Sequence, residues 1–287
     1  MSYRGRIAPT PTGYLHSGHA RTFSIAAQRA RAQQGVLILR NEDLDPDRCK
    51  PQYIHAMFED LRWLGFQWSE GPDVGGPHSP YNQSQRRPFY LDAWHTLVAS
   101  GHVYPCTCSR KDLQQAAQAP HESPNPADPQ ITDEELLYPG TCRPAPDARP
   151  IHPPESPAGL NWRFRVPDSE AIHFTDAHYG PKTFLAGRDF SDFLIWRRDN
   201  VPAYQLAVVV DDHLMRITEV VRGQDLLVST ARQILLYRAL GWTPPDWYHC
   251  PLVTDAQGRR LAKRHHALSI RTLRQQGQTP QQVLGLE

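Results

Sequence analysis

Arg6-Ile7-Ala8-Pro9-Thr10-Pro11-Thr12-Gly13-Tyr14-Leu15-His16-Ser17-Gly18-His19 is the stretch that decides the fold. A short strand, read over residues 3–8, runs into a Pro/Gly turn. A helix former-rich segment follows over 18–34, closed at Gly35, and then the apolar run Val36-Leu37-Ile38-Leu39. The continuous apolarity of 36–39 suits a parallel strand covered on both faces. Strand, turn, helix and strand make a βαβ unit. The turn precedes a helix N-terminus, where main-chain N–H groups and the helix dipole attract anions. Gly13 and Gly18 remove Cβ atoms where a ligand must approach. His16 and His19 can donate to phosphate oxygens as charge builds on them. Two surface histidines in a loop are the plainer alternative.

Outward from this unit, residues 51–65 and 86–100 read as helices closed by Gly65 and Gly101. Strand-like runs occur at 160–166, 172–174 and 193–196, and 204–210 reads as a further buried strand. Residues 229–240 have the pattern of an amphipathic helix stopped at Gly241. From 117 to 157 prolines and acids crowd together, as in a decorated insertion rather than core. A strand at 250–253 leads into Gly258-Arg259-Arg260-Leu261-Ala262-Lys263-Arg264, a basic loop in which Lys263 could meet a polyphosphate. No acid occurs between 256 and 286, and the basic residues there form either a phosphate-binding surface or a solvated tail.

The 287 residues, 39% hydrophobic, are enough for a large core. The chain has no apolar run of membrane-spanning length and its N-terminus has no secretory h-region, so a cytoplasmic protein with no membrane partner is expected. A net charge of +1 gives no global signal for nucleic acid. Three of the five cysteines cluster as Cys106, Cys108 and Cys142. With Tyr138 they offer a tetrahedral zinc donor set, the alternative being reduced, unpaired thiols. Cys49 and Cys250 stand apart as packed thiols. No G-x-G-x-x-G follows the first strand, which argues against a dinucleotide-dependent dehydrogenase.

The 6–19 segment and the Lys263 loop resemble the HIGH and KMSKS signatures of class I aminoacyl-tRNA synthetases, and the wording of the first is that of the glutamyl branch. Asn41-Glu42-Asp43-Leu44-Asp45-Pro46, the run 204–213 and Glu219-Val220-Val221-Arg222-Gly223-Gln224-Asp225 extend the resemblance over about residues 4 to 270. It implies an α/β fold: a Rossmann-type class I catalytic domain with a parallel sheet, carrying an inserted α+β zinc-containing subdomain. The expected boundaries are 1–100 and 196–250 for the two Rossmann halves, 101–195 for the insertion, and 251–287 for the KMSKS-like loop and a short helical segment.

The resemblance also implies a glutamate site made of Arg6, Ala8, Thr10, Glu42, Tyr204 and Arg222, with Thr10 where the family has serine. A glutamate zwitterion carries two carboxylates and one ammonium, and Arg6, Arg222 and Glu42 match that count. His16, Gly18, His19 and Lys263 would hold ATP, with His16, His19 and Lys263 stabilising the transition state and Mg²⁺ on the phosphates. Ala262 replaces the loop's usual serine, from which slower or altered closure is expected. The Cys106, Cys108, Tyr138, Cys142 pattern is similar to the zinc site of the glutamyl-Q tRNA(Asp) synthetases, with a longer Cys108-to-Tyr138 segment. That family activates glutamate without tRNA and transfers it to queuosine in the anticodon loop of tRNA(Asp). The short run beyond the loop, with little to form an anticodon-binding domain, is read in the same direction. ATP, L-glutamate and queuosine-bearing tRNA(Asp) are thus the expected partners of a monomer. A truncated enzyme acting on a tRNA 3′ end with a partner, and a non-catalytic tRNA- or glutamate-binding paralogue, stay open.

Overall fold

The computed structural model describes residues 2–109, 111–113, 137–145, 147–148, 151–252 and 269–285. β1 (Arg4–Ile7) lies parallel to β2 (Val36–Leu39), in register from Arg4↔Val36 to Ile7↔Leu39. The crossover is α1 (Ser17–Ala32), whose Ala, Arg and Gln content favours a helix. Its buried Ala20, Phe23, Ala26 and Ala30 recur at helical spacing and face the sheet. The helix ends earlier than expected, with Gln33 as its cap, and Gln34 rather than Gly35 takes the left-handed conformation at φ 50°. Gly35 answers a different demand: a Cβ there would lie 2.5 Å from the Tyr3 carbonyl oxygen.

α2 (Pro51–Trp63) and α3 (Arg87–Ala99) each carry a proline in the first turn, where a missing N–H costs no helical bond. Gly65 and Gly101, at φ 82° and 74°, follow them. β3 (Val103–Cys106), β4 (Asn161–Phe164) and β7 (Phe193–Trp196) form an antiparallel sheet in the order β3-β4-β7. It packs on α3 through Trp94, which meets Trp162 edge-on at 4.9 Å.

The remaining sheet is mixed rather than parallel throughout. β5 (Ala171–Asp176) and β6 (Gly180–Leu185) form an antiparallel hairpin. β5 runs parallel to β9 (Asp246–Cys250), and β9 parallel to β8 (Glu219–Gly223), giving the order β6-β5-β9-β8. β8 abuts β1: the Thr218 N–H donates to the Arg4 carbonyl at 2.9 Å, and the Arg4 N–H to Thr218 Oγ1 at 2.9 Å. Two parallel pairs, β2-β1 and β8-β9, therefore lie side by side. β9 occupies 246–250, so the described residues 251–252 of the strand expected at 250–253 extend beyond it, and residue 253 lies outside the described residues.

The run beginning at Tyr204 is a helix, α4 (Tyr204–Leu214), and not a strand. Every residue from Gln205 to Asp212 is buried. A helix enclosed on all sides has no polar face, so its sequence loses the helical period and imitates a buried strand. α5 (Leu227–Ala239) departs from expectation for the same reason: Ser229 to Tyr237 are all buried, so the helix is enclosed rather than amphipathic. α6 (Ile270–Gln275) and α7 (Pro280–Leu284) close the described chain. No helix among the described residues is long and apolar enough to cross a membrane.

α6 packs near α2, where Asp60 is 1% exposed and both carboxylate oxygens lack a hydrogen-bond partner among the described residues. Burial raises its pKa from 3.8 to about 6, against the opposing pull of Arg271. A carboxyl held more tightly protonated in the folded state destabilises the fold as pH rises between those two values. Asp60→Asn is therefore expected to raise unfolding free energy by about 1–3 kcal/mol at roughly pH 8 and by little near pH 4, read from denaturant midpoints.

Candidate active site

The turn after β1 and the start of α1 carry the two histidines. His16 is the N-cap, its Nδ1 accepting from the Gly18 N–H at 3.2 Å. His19 returns the bond, its Nδ1 accepting from the His16 N–H at 3.3 Å. This is a capping box built from imidazoles. Two main-chain donors that the sequence suggested for an anion are thus occupied by the helix's own cap. With Nδ1 accepting, each neutral ring carries its proton on Nε2. The rings lie 3.9 Å apart, and a Cβ on Gly18 would come 3.0 Å from the His16 ring, so a larger residue there would press on the capping imidazole.

Lys263 lies outside the described residues, as does the whole of the basic loop over 258–264. Its flanks do not. Ser269 bridges to His16, and the Ile270 N–H donates to the Leu15 carbonyl at 2.8 Å. On the other side, β9 ends at Cys250 beside Gly223 of β8. Residues 269–270 are thus held against the first histidine and the residue before it.

Beside this turn lies a buried network of charges. Arg40, directly after β2, is 0% exposed and meets Asp212 at 2.6 Å, Glu42 at 3.0 Å and Asp211 at 3.8 Å. Arg6 reaches Asp212 at 3.2 Å and the Val221 carbonyl at 3.1 Å. Arg86 meets Asp211 at 2.6 Å. Burial raises the pKa of Glu42 and of Asp211, with Arg40 pulling each back down. For Asp212, Arg40 and Arg6 outweigh burial and hold the carboxyl below its ordinary range. Three arginines and three carboxylates balance within this network. Thr10 joins it through Glu42, its hydroxyl donating at 3.4 Å, and Ala8 sits half-buried between Arg6 and Thr10.

Arg222, on β8, is different. It is 4% exposed, and among the described residues no carboxylate lies within ion-pair distance of it. Its Nε donates to His249 Nε2 at 3.1 Å, Nη1 to Gln233 Oε1 at 2.8 Å and Nη2 to Thr230 Oγ1 at 2.7 Å. Two longer contacts, Nη1 to the Tyr204 hydroxyl at 3.5 Å and Nη2 to the Leu226 carbonyl at 3.4 Å, complete its surroundings. Burial, with Arg6 nearby, lowers its pKa. An interior cation surrounded by neutral acceptors has a strong demand for an anion.

The structure thus brings Arg6, Thr10 and Glu42 into one network and Arg222 and Tyr204 into its neighbour, linked across β8 by the bond from Arg6 to Val221. Sequence reasoning passed over Arg40, Asp211 and Asp212 as site components. Charged residues directly after the fully apolar 36–39 run, and at the end of the apolar 206–210 run, were the available signal.

The cysteine cluster lies at the far end of β3. The Sγ atoms of Cys106, Cys108 and Cys142 fall within 4.8 Å of one another. Cys108 and Cys142 are 3.6 Å apart, and the Tyr138 hydroxyl is 3.5 Å from Cys106 and 3.8 Å from Cys108. A tetrahedron with Zn–S bonds of about 2.3 Å has edges of roughly 3.5–3.8 Å, so the donor set fits that ion. Although burial opposes it, hydrogen bonds from the Thr107 main chain and from Tyr138 bring the Cys142 thiol down to about 6. Arg163 adds a buried cation, its Nε 3.4 Å from Cys106 Sγ and its guanidinium 4.0 Å above the Tyr138 ring.

Comparison with known proteins matches residues 2–286 to the tRNA synthetases class I (E and Q), catalytic domain. A glutamyl-Q tRNA(Asp) synthetase of Symbiobacterium thermophilum is 49% identical over 98% of this chain and 84% of its own length. One from Nitratidesulfovibrio vulgaris is 45% identical over the same shares. Among solved structures, the glutamate-tRNA synthetase of Elizabethkingia anophelis superposes with a TM-score of 0.77 at 31% identity, over 92% of this chain. This chain spans 53% of that one.

Proposed function

The chain belongs to the class I tRNA synthetases of the E and Q type, and on that premise we propose that it activates glutamate with ATP and then glutamylates queuosine in tRNA(Asp). The observation that carries the first half is Arg222, a buried cation whose hydrogen-bond partners are all neutral. Its two longest bonds, from Nη1 to the Tyr204 hydroxyl and from Nη2 to the Leu226 carbonyl, use the N–H donors that a substrate carboxylate would take over. A charge-assisted bond between the guanidinium and a carboxylate contributes about 1.5–3 kcal/mol. Glu42, whose Oε2 faces Thr10, would receive the ammonium. Glutamine would leave Arg222 facing a neutral amide, which is the basis for rejecting it.

An α-carboxylate oxygen of glutamate then attacks the α-phosphorus of ATP, and the bond to the β-phosphate oxygen breaks to release pyrophosphate. No enzyme nucleophile is required; positioning and charge stabilisation suffice. The Nε2 protons of His16 and His19 would face the developing charge, with Gly18 allowing close approach, Lys263 supplying a point charge and Mg²⁺ accompanying the nucleotide. A hydroxyl of the queuosine ring next attacks the glutamyl carbonyl and AMP leaves. The names and near-complete overlap of the two bacterial relatives support this acceptor.

Zn²⁺ on Cys106, Cys108, Cys142 and Tyr138 would tie β3 to the 138–142 segment, and the cation of Arg163 would offset the excess thiolate charge. Purified full-length protein is then expected to hold about one Zn²⁺ per chain, and Cys142→Ser to lose most of it to a chromogenic chelator.

The overall reading is tested by glutamate-dependent ATP–pyrophosphate exchange without tRNA. Labelled glutamate is then supplied with tRNA from cells that do or do not make queuosine, and the tRNA is cleaved into fragments. Label confined to the anticodon fragment of the queuosine-containing pool is expected. Label at the 3′ end, or equal label on both pools, would overturn the acceptor assignment.

A further inference from the structure

Behind Arg222 lies a buried pair, an imidazole and a carboxylate. His249 on β9 is 0% exposed and Asp176, at the end of β5, is 1% exposed. The imidazole Nδ1 is 2.7 Å from Asp176 Oδ2, and that oxygen also accepts the His249 main-chain N–H at 3.0 Å. The other carboxylate oxygen accepts the N–H groups of His178 and Tyr179 at 3.0 and 2.8 Å. We propose that Asp176 and His249 are positioning residues for substrate recognition: Asp176 fixes the histidine tautomer that aims the Arg222 guanidinium at a substrate carboxylate. This rests on glutamate being the substrate.

The argument is one of donors and acceptors. A carboxylate can only accept, so the neutral ring must carry its proton on Nδ1. Nε2 is then an acceptor, and it faces the Arg222 Nε–H at 3.1 Å. The opposite tautomer would set the Nε2–H against the Arg222 Nε–H in a buried site, leaving only the Thr230 hydroxyl oxygen, 3.1 Å away, to receive that proton. Burial and the adjacent Arg222 hold the His249 pKa down to about 4, so the ring is neutral at neutral pH. A neutral ring matters, since an imidazolium would repel the guanidinium. On its other side Arg222 is fixed in the same manner. Gln233 donates to Gln205 Oε1 at 2.9 Å, which turns its own carbonyl oxygen toward Arg222. The guanidinium is thereby held from two directions before any ligand arrives. Arg222 also lies 4.8 Å from the Trp247 ring, which limits its movement along the third.

Asp176→Asn discriminates sharply. The amide oxygen is retained by the two N–H groups of His178 and Tyr179, and the NH₂ group then faces the imidazole, while the His249 main-chain N–H loses its acceptor. The ring must accept at Nδ1 and carry its proton on Nε2, against Arg222. Long-range ¹H–¹⁵N correlation spectra of the full-length chain, with His249→Gln to assign the signal, should show the Nδ1–H form in the parent and the Nε2–H form in Asp176→Asn. In pyrophosphate exchange, Asp176→Asn should raise KM for glutamate at least tenfold while KM for ATP and kcat stay within about twofold. His249→Gln, which can place a carbonyl oxygen near the Nε2 position, should raise it less than His249→Leu, at matched melting temperatures. The same tautomer in parent and Asp176→Asn, or an unchanged KM for glutamate, would overturn the positioning role. Absence of glutamate-dependent exchange in the parent would instead overturn the glutamate reading, and the tautomer spectra would still decide whether Asp176 sets the ring.

Discussion

Arg222→Met is expected to lower kcat/KM for glutamate-dependent pyrophosphate exchange by about 10²–10⁴-fold, with the fold intact. The size follows from what the substitution leaves behind. A substrate carboxylate brought into this pocket would lose its cation and remain buried, and an unpaired interior charge costs about 3–5 kcal/mol. The fold should survive the change because no buried carboxylate loses an ion-pair partner, although acceptors on His249, Gln233 and Thr230 lose a donor. Among the described residues no carboxylate lies within ion-pair distance to offset its desolvation, and burial lowers its pKa. Chemical denaturation should give the variant an unfolding free energy lowered by about 1–3 kcal/mol, the cost of the orphaned acceptors offset in part by removal of the buried cation. Arg222→Lys should rescue little, since an ammonium cannot span the acceptors the planar guanidinium joins. The preference for glutamate over glutamine should fall alongside the rate. A variant that retained parental KM and discrimination would remove Arg222 from the substrate site.

Arg40→Met should do the reverse and strike stability first, lowering the unfolding free energy by about 3–5 kcal/mol near neutral pH. Arg40 is fully buried and lies among Glu42, Asp211 and Asp212. Without it three carboxylates share a dry interior with only Arg6 and Arg86 to answer them. Glu42 and Asp211 already have raised pKa values from burial, and removing their largest opposing charge raises them further. Stability linked to a carboxyl with a raised folded pKa falls as pH rises. The deficit of Arg40→Met should thus shrink on moderate acidification, as those carboxyls take up protons. Urea midpoints of parent and variant across pH measure this directly, and a deficit independent of pH would show that the lost packing of the side chain dominates instead.

Much of the frame was legible in the sequence because it is local. The β1-turn-α1-β2 unit follows from a short apolar run, a Pro/Gly turn, helix formers and a second apolar run. Helices α2 and α3 announce themselves by proline at the start and glycine beyond the end. The cysteine cluster could be named from spacing, and the structure brings its sulfurs together. Legibility failed where burial is complete. Residues 204–214 are a helix enclosed by neighbours, and an apolar run without period carries no sign of its helical state. Gly35 looked like a helix stop, whereas its position is set by the Tyr3 carbonyl on the adjacent strand.

By itself the sequence determined the family resemblance, the βαβ start and the kinds of residue available to the site: arginines, a glutamate, two histidines and a tyrosine. Only the tertiary structure decided what each arginine is for. Arg6, Arg40 and Arg86 are matched by carboxylates that α4 brings from the 211–212 region, while Arg222 is given a histidine, a glutamine and a threonine. Arg6 and Asp212 are separated by most of the chain, and their pairing depends on how β1 and α4 come together across the sheet. Charge is a property of a residue and can be read along the chain. Whether that charge is already neutralised depends on distances in three dimensions, and the interior cation that has no carboxylate among the described residues is the ground for proposing Arg222 as a binding group rather than a structural tie.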